Sequence, residues 1–151
     1  MSTEKERETI DFETTKLIAY TAKGNKDAEE YLNLVYRSVR VIDDVYDQDY
    51  KVTREDLLEV FEILFTRLPS NSFYLDYQSP LFSHHLSMWN AWSWSNVMEI
   101  KGDDTDKIYA HVLRDTCCEI LPIVALITGG YNHMVRVSIE MRSLFKKPIG
   151  E

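Results

Sequence analysis

The chain is poor in cysteine, glycine and proline, with two, five and four of these in 151 residues. Two cysteines cannot build a disulfide framework. Cys117 and Cys118 are adjacent, a spacing ill suited to bridging each other, so a reducing, cytoplasmic setting is expected. Scarce glycine and proline exclude collagen-like and low-complexity chains. Long hydrophobic runs are missing too: the longest, residues 120–128, is too short to span a bilayer and contains Pro122. Positive charge is not clustered outside the pair Lys146-Lys147, and the net charge is −8 with a pI near 5.0. A sequence-independent grip on nucleic acid, or on an anionic membrane surface, is therefore not expected. The opening MSTEKERETIDFE is polar and acidic, unlike a signal peptide.

What is present is helical periodicity. Apolar residues make up 44 % and charged residues 28 %, an ordinary globular profile. Residues 1–10 are charged and aperiodic and read as a flexible arm. A first helix is expected from about Asp11 to Ala22, with Phe12, Thr15, Ile18 and Ala19 on one side and Gly24 as its stop. Asn25 caps a second helix whose seam runs Ala28, Leu32, Val35, Val39, Ile42, Tyr46. Thr53 and Asp56 form a capping-box pair for a third, with Leu57, Val60, Phe61, Leu64, Phe65 and Leu68 as its apolar face and Pro69 as its end. Residues 69–79 read as a loop. Ser79-Pro80 then opens a fourth helix carrying His84, His85, Trp89, Trp92 and Trp94, stopped by Gly102. A fifth starts after Asp103 or Asp104 and kinks at Pro122, and Gly129-Gly130 separates it from a sixth over about Tyr131 to Lys146. No stretch reads as a strand-and-turn series. The expectation is an all-α fold, one bundle domain of five or six helices over residues 11–151.

Chemistry concentrates at the end of the second helix, in Val41-Ile42-Asp43-Asp44-Val45-Tyr46-Asp47-Gln48-Asp49. Acids in a last helical turn face the negative end of the macrodipole, at a cost of about 0.3–1 kcal/mol each. Asp43 and Asp47, and Asp44 and Asp47, repel across one turn. A divalent cation, a nearby Arg or solvent exposure would offset this. Carboxylates on a helix suit Mg²⁺ shared with substrate phosphates. A second acidic stripe, His111, Asp115 and Glu119, recurs every four residues on the fifth helix. Two such stripes across a bundle could share a metal.

The segment VIDDVYDQDYKVTREDLLEVFEIL resembles the Asp-rich DDxxD region of class I terpene (isoprenoid) synthases, including the Thr-started, acid-rich helix that follows it in many members. The spacing of His111, Asp115 and Glu119 resembles that family's second metal motif, matching in residue type at Glu119. The resemblance implies Mg²⁺ held by Asp43 and Asp47, with Asp44 nearby, and a further ion held by His111, Asp115 and Glu119. It implies a substrate diphosphate gripped by those ions. Arg37, Arg40 and Arg114 are the basic candidates for the phosphates, and Trp89 and Trp92 for an apolar part of the ligand. A more distant likeness is to the small all-α nucleotide pyrophosphohydrolases, echoed by Asp44-x-x-Asp47 with Glu29 or Glu30 upstream.

Blander assignments account for the same residues. The aspartates fit a solvated helix end with an Arg40–Asp44 surface pair, and the second stripe fits a polar face beside Arg114. The tryptophans suit a core or an interface. Two readings therefore stand side by side: Mg²⁺-dependent binding, hydrolysis or lysis of a phosphorylated, diphosphate-containing small molecule, or a non-catalytic helical module. The latter would be a homo-oligomer or a partner-binding protein, driven by the aromatic surface of the fourth helix.

Overall fold

The computed structural model describes residues 3–146; Lys147 of the terminal basic pair lies outside them. Among the described residues the chain is all helical, with no strand. The helices are α1 (Glu4–Ala22), α2 (Lys26–Asp47), α3 (Arg54–Glu62), α4 (Ser72–Asp76), α5 (Gln78–Lys101), α6 (Asp104–Asp115), α7 (Ile120–Gly129) and α8 (Tyr131–Phe145). A π-helical turn, Ile63–Arg67, extends α3, and a 3₁₀ turn, Thr116–Glu119, joins α6 to α7 without a break. Where the sequence reads as one bundle, the helices gather into two compact units, residues 1–77 and 78–151.

In the first unit α2 is the central element, packed by α1, α3, the π-helical turn and α4. Residues 4–10, expected as part of a flexible arm, are helix instead. Thr3 caps α1 with its hydroxyl accepting from the Glu6 backbone, and the Glu6 carboxylate accepts from the Thr3 N–H at 2.7 Å. The reciprocal cap supplies two of the helix's orphan donors with partners. The buried face of α1 also differs from the expected one: Thr14, Leu17, Ile18, Thr21 and Ala22 are inside, while Phe12, Thr15 and Ala19 are exposed. The two threonines can be buried because their hydroxyls donate to carbonyls one turn back, Ile10 and Leu17, each at 2.7 Å.

Asn25 caps α2 as its sequence implies, its side chain accepting from Ala28 N–H at 3.1 Å. The seam holds through Ala28, Leu32 and Val35 and then rotates. Ser38, Val41 and Asp44 take the inside, leaving Ile42 and Tyr46 exposed. The expected loop after Pro69 contains α4. Asn71 caps it by accepting from Tyr74 N–H at 2.9 Å and donates to the Asp27 carbonyl at 3.0 Å, tying it to the start of α2. Phe73 and Tyr74 then close on the fully buried Tyr31, with ring centroids 5.8 and 6.0 Å away. Thr53 and Asp56 form the expected capping box of α3. Its apolar face, however, faces solvent: Val60 and Ile63 are buried, whereas Leu57, Phe61, Leu64 and Phe65 are exposed.

In the second unit α5 packs chiefly on α6, and α7 on α8. Asp103 caps α6 in a third reciprocal box, with Asp106. The 3₁₀ turn lies directly before Pro122, whose ring nitrogen cannot donate to a preceding carbonyl, so the helix tightens there rather than breaking. Gly130, at φ +81°, separates α7 from α8. At Gly129 a Cβ would come within 2.5–2.7 Å of the His133 side chain, so glycine is what lets His133 pack in. Leu81, Leu121, Val124, Val137 and Met141 form the core, with His84 and His133 buried among them.

His84 is 7 % exposed, and its Nε2 is buried without a hydrogen-bond partner. Burial pushes its imidazole below the ordinary value of 6.5, opposed by the charge of Glu119. Burial lowers His85 as well. In the unfolded chain both regain the ordinary value and bind protons that the folded state refuses. Their contribution is therefore complete above about pH 6.5 and is lost as pH falls through that value toward the folded pKa. The melting temperature should rise with pH from about 5 to 7 and then flatten. His84→Leu should reduce the slope; an unchanged slope would assign the dependence elsewhere.

Candidate functional site

The Asp-rich end of α2 is tied down from α1. The Arg7 guanidinium donates through Nη1 to Asp44 Oδ1 at 2.8 Å and through Nη2 to Oδ2, a two-pronged ion pair. Asp44 is 8 % exposed, the most buried carboxylate of its cluster. Arg7 also stacks over the Tyr50 ring, with its guanidinium carbon 3.8 Å from the centroid. The hydrogen bond to Asp44 raises the Arg7 pKa further, burial notwithstanding, so the guanidinium stays charged. This planar, bidentate geometry is the kind for which Arg is suited and Lys is not.

Next to this pair lies a cavity of about 350 Å³ between α1, α2, α3 and the π-helical turn. Arg7, Arg37, Arg40 and Arg67 line it, half of the chain's eight arginines, together with the carboxylates of Asp11 and Glu59. Each guanidinium is held by acids. Arg37 donates to Glu59 at 2.8 Å and Asp56 at 2.7 Å. Arg40 pairs with Asp11 at 3.0 Å, and Arg67 reaches Glu30 only at 3.6 Å, beyond hydrogen-bond distance. Tyr36 donates its hydroxyl to Asp11 at 2.5 Å, and burial, helped by that bond, pushes the phenol up to about 12. The Thr53 backbone and hydroxyl, then Arg37, hold Asp56 below the usual carboxylate range. A second cavity of about 320 Å³ shares Arg7, Asp11 and Arg37 with the first and is bounded by Asp44, Asp56, Tyr50 and Lys51.

The residues singled out from sequence fall into separate local networks. Asp43 is half-buried and Asp47 exposed, on either side of the buried Asp44. Arg40, expected to pair with Asp44, pairs with Asp11 and lines the cavity. His111, Asp115, Glu119, Arg114, Trp89 and Trp92 all belong to the second unit. There Arg114 donates to Ser95 at 3.2 Å and to Asn96 at 2.9 Å, and pairs with Glu99. Glu119 pairs with Arg142 of α8. Trp89 and Trp92 meet at 5.7 Å between centroids, with Trp89 facing solvent. Both Asp44 oxygens are taken by a guanidinium, so the triplet as a whole does not fit a cation. Among the described residues no three His, Cys, Asp or Glu side chains gather as a metal site would need. Cys118 is a packed thiol that burial pushes up to about 12, far from thiolate chemistry.

Arg7, Arg37, Arg67, Asp11 and Tyr36 carry the cavity, and the sequence gives little notice of them as a group. They are scattered over three helices, and Arg7 sits in a stretch without apolar periodicity. No protein-family model, curated sequence or solved structure matches the chain.

Removing Asp44 alone strands a guanidinium that is 17 % exposed at its side chain. Asp44→Ala should therefore cost about 3 kcal/mol in urea unfolding. An Arg7→Met/Asp44→Leu double variant should recover most of that. A loss below about 1 kcal/mol for Asp44→Ala would class the pair with ordinary surface bridges.

Proposed function

We propose that the first unit binds a phosphorylated small molecule, of the diphosphate class, in the arginine-lined cavity. The observation that carries this reading is the placement of four arginines on one cavity in a chain of net charge −8. Two carboxylates share its lining, and with the acids behind it five carboxylates meet these four arginines, so an anion would bind by displacing one of them. The other acids that pair with these arginines, Asp44, Asp56 and Glu30, are not part of that lining. They serve to orient the guanidiniums before any ligand arrives, which limits the ordering cost of binding. Guanidinium forks match phosphate oxygens in pairs. Arg67, held only loosely by Glu30, is the group freest to swing onto a ligand. About 350 Å³ is at the small end of ligand pockets and suits a diphosphate with a modest organic group.

In this reading the arginines supply the positive charge that the DDxxD resemblance would draw from Mg²⁺. Asp43 and Asp47 remain the carboxylates at which a hard cation would add to the site. Inorganic pyrophosphate is the probe. Calorimetric titration without metal should give binding that weakens at least tenfold in Arg40→Gln/Arg67→Gln, and wild-type melting should rise with pyrophosphate by mass action. Binding that needs MgCl₂ and disappears in Asp43→Asn/Asp47→Asn would shift the reading to the metal. No binding under either condition would overturn both.

A further inference from the structure

We propose that α5 is a self-association surface, which pairs antiparallel with α5 of a second copy of this chain. Phe82, Leu86, Trp89, Ser93, Val97 and Ile100 recur at steps of four, three, four, four and three. At about 100° per residue they fall on one line along the helix, about 27 Å long. All but Ser93 are among the exposed large apolar residues, with Trp89 at 63 % and Ile100 at 74 %. The rest of α5 is already engaged: Leu81, His84, Ala91, Ser95 and Asn96 are buried in the second unit. The helix thus has a buried, largely polar side and an apolar stripe that is uncovered.

Three features select a second copy as the occupant. The first is charge. Residues 78–98 contain no Asp, Glu, Lys or Arg, so two chains of net charge −8 can meet here without facing like charges across the contact. The second is register. In an antiparallel pair with its two-fold axis near Ala91, Phe82 lies opposite Ile100, Leu86 opposite Val97 and Trp89 opposite Ser93. The largest side chain of the stripe meets the smallest, twice, as an isologous interface requires of one surface facing itself. The third is area. The five apolar side chains expose on the order of 600 Å² per copy, so a pair buries about 1,200 Å², the lower bound for a specific interface.

Sedimentation of the intact chain should give twice the 17.7 kDa of one chain, dissociating on dilution. Leu86→Glu/Trp89→Glu should sediment as a monomer with an unchanged helical spectrum. If those charges disturb folding, Leu86→Ala/Trp89→Ala carries the test, with a dimer at least tenfold weaker. Ser93→Trp should also break the dimer, by placing two large rings in one gap. For orientation, Leu86→Cys/Val97→Cys should crosslink on oxidation while neither single variant does, Cys117 and Cys118 being common to all three. A wild-type chain that stays monomeric would overturn the proposal. So would a dimer that survives the α5 changes and dissociates in Phe61→Glu/Phe65→Glu, which would place the contact on α3. Crosslinking of Leu86→Cys alone would overturn the antiparallel register.

Discussion

The first unit depends on one ion pair, Arg7 with Asp44. An aspartate in the last turns of a helix is disfavoured by the helix dipole and by its acidic neighbours. A buried one needs a partner that brings both charge and hydrogen-bond donors. Arg7 supplies both in one planar group. That contact links the beginning of α1 to the end of α2, residues 37 positions apart in sequence. It rotates the inner face of α2 so that Asp44, and not Ile42 or Tyr46, lies inside. It also brings α1 alongside α2 where Asp11 can reach Arg40 and Tyr36. The cavity follows from that alignment, since its lining comes from α1, α2, α3 and the π-helical turn together.

Local chemistry was legible in the sequence and tertiary choice was not. The caps at Asn25 and Thr53 read directly, because a side chain three residues from its backbone partner needs no other information, while the start of α6 was open between Asp103 and Asp104 until the Asp103 box fixed it. The stops at Gly24, Gly102 and Gly129-Gly130 read equally well. The buried faces of α1 and α3 did not. On α1 two threonines displaced Phe12 from the inside, because an inward hydroxyl that bonds its own helix carries little polar cost. On α3 the periodic apolar face was real but uncovered. Periodicity reports that a face is apolar; which surface covers it lies outside the segment.

The same limit governs the site. The acids of the Asp-rich stretch are clustered in sequence and so suggest a metal, whereas the arginine that engages Asp44 is far away in the chain. Arg40 lies within four residues of Asp43 and Asp44, yet its partner is Asp11. Long cationic side chains choose partners over distances that spacing rules for a single helix do not cover. A contiguous cluster is thus easier to see than a dispersed one, whichever carries more of the chemistry.

The distribution of charge ties the two units together as a design problem. A chain with 25 acids and 17 bases has few cations to place. Spread evenly, they would give weak surface pairs with little effect on stability. Here half the arginines converge on one cavity, while α5 carries a stretch of 21 residues, 78–98, without a formal charge. Both arrangements depart from an interspersed surface. The converged guanidiniums are each met by acids, whereas an uncovered stripe of Trp, Leu, Phe and Ile exposes apolar area to water. The proposed second copy would cover that stripe, and the proposed anion would draw on the converged arginines.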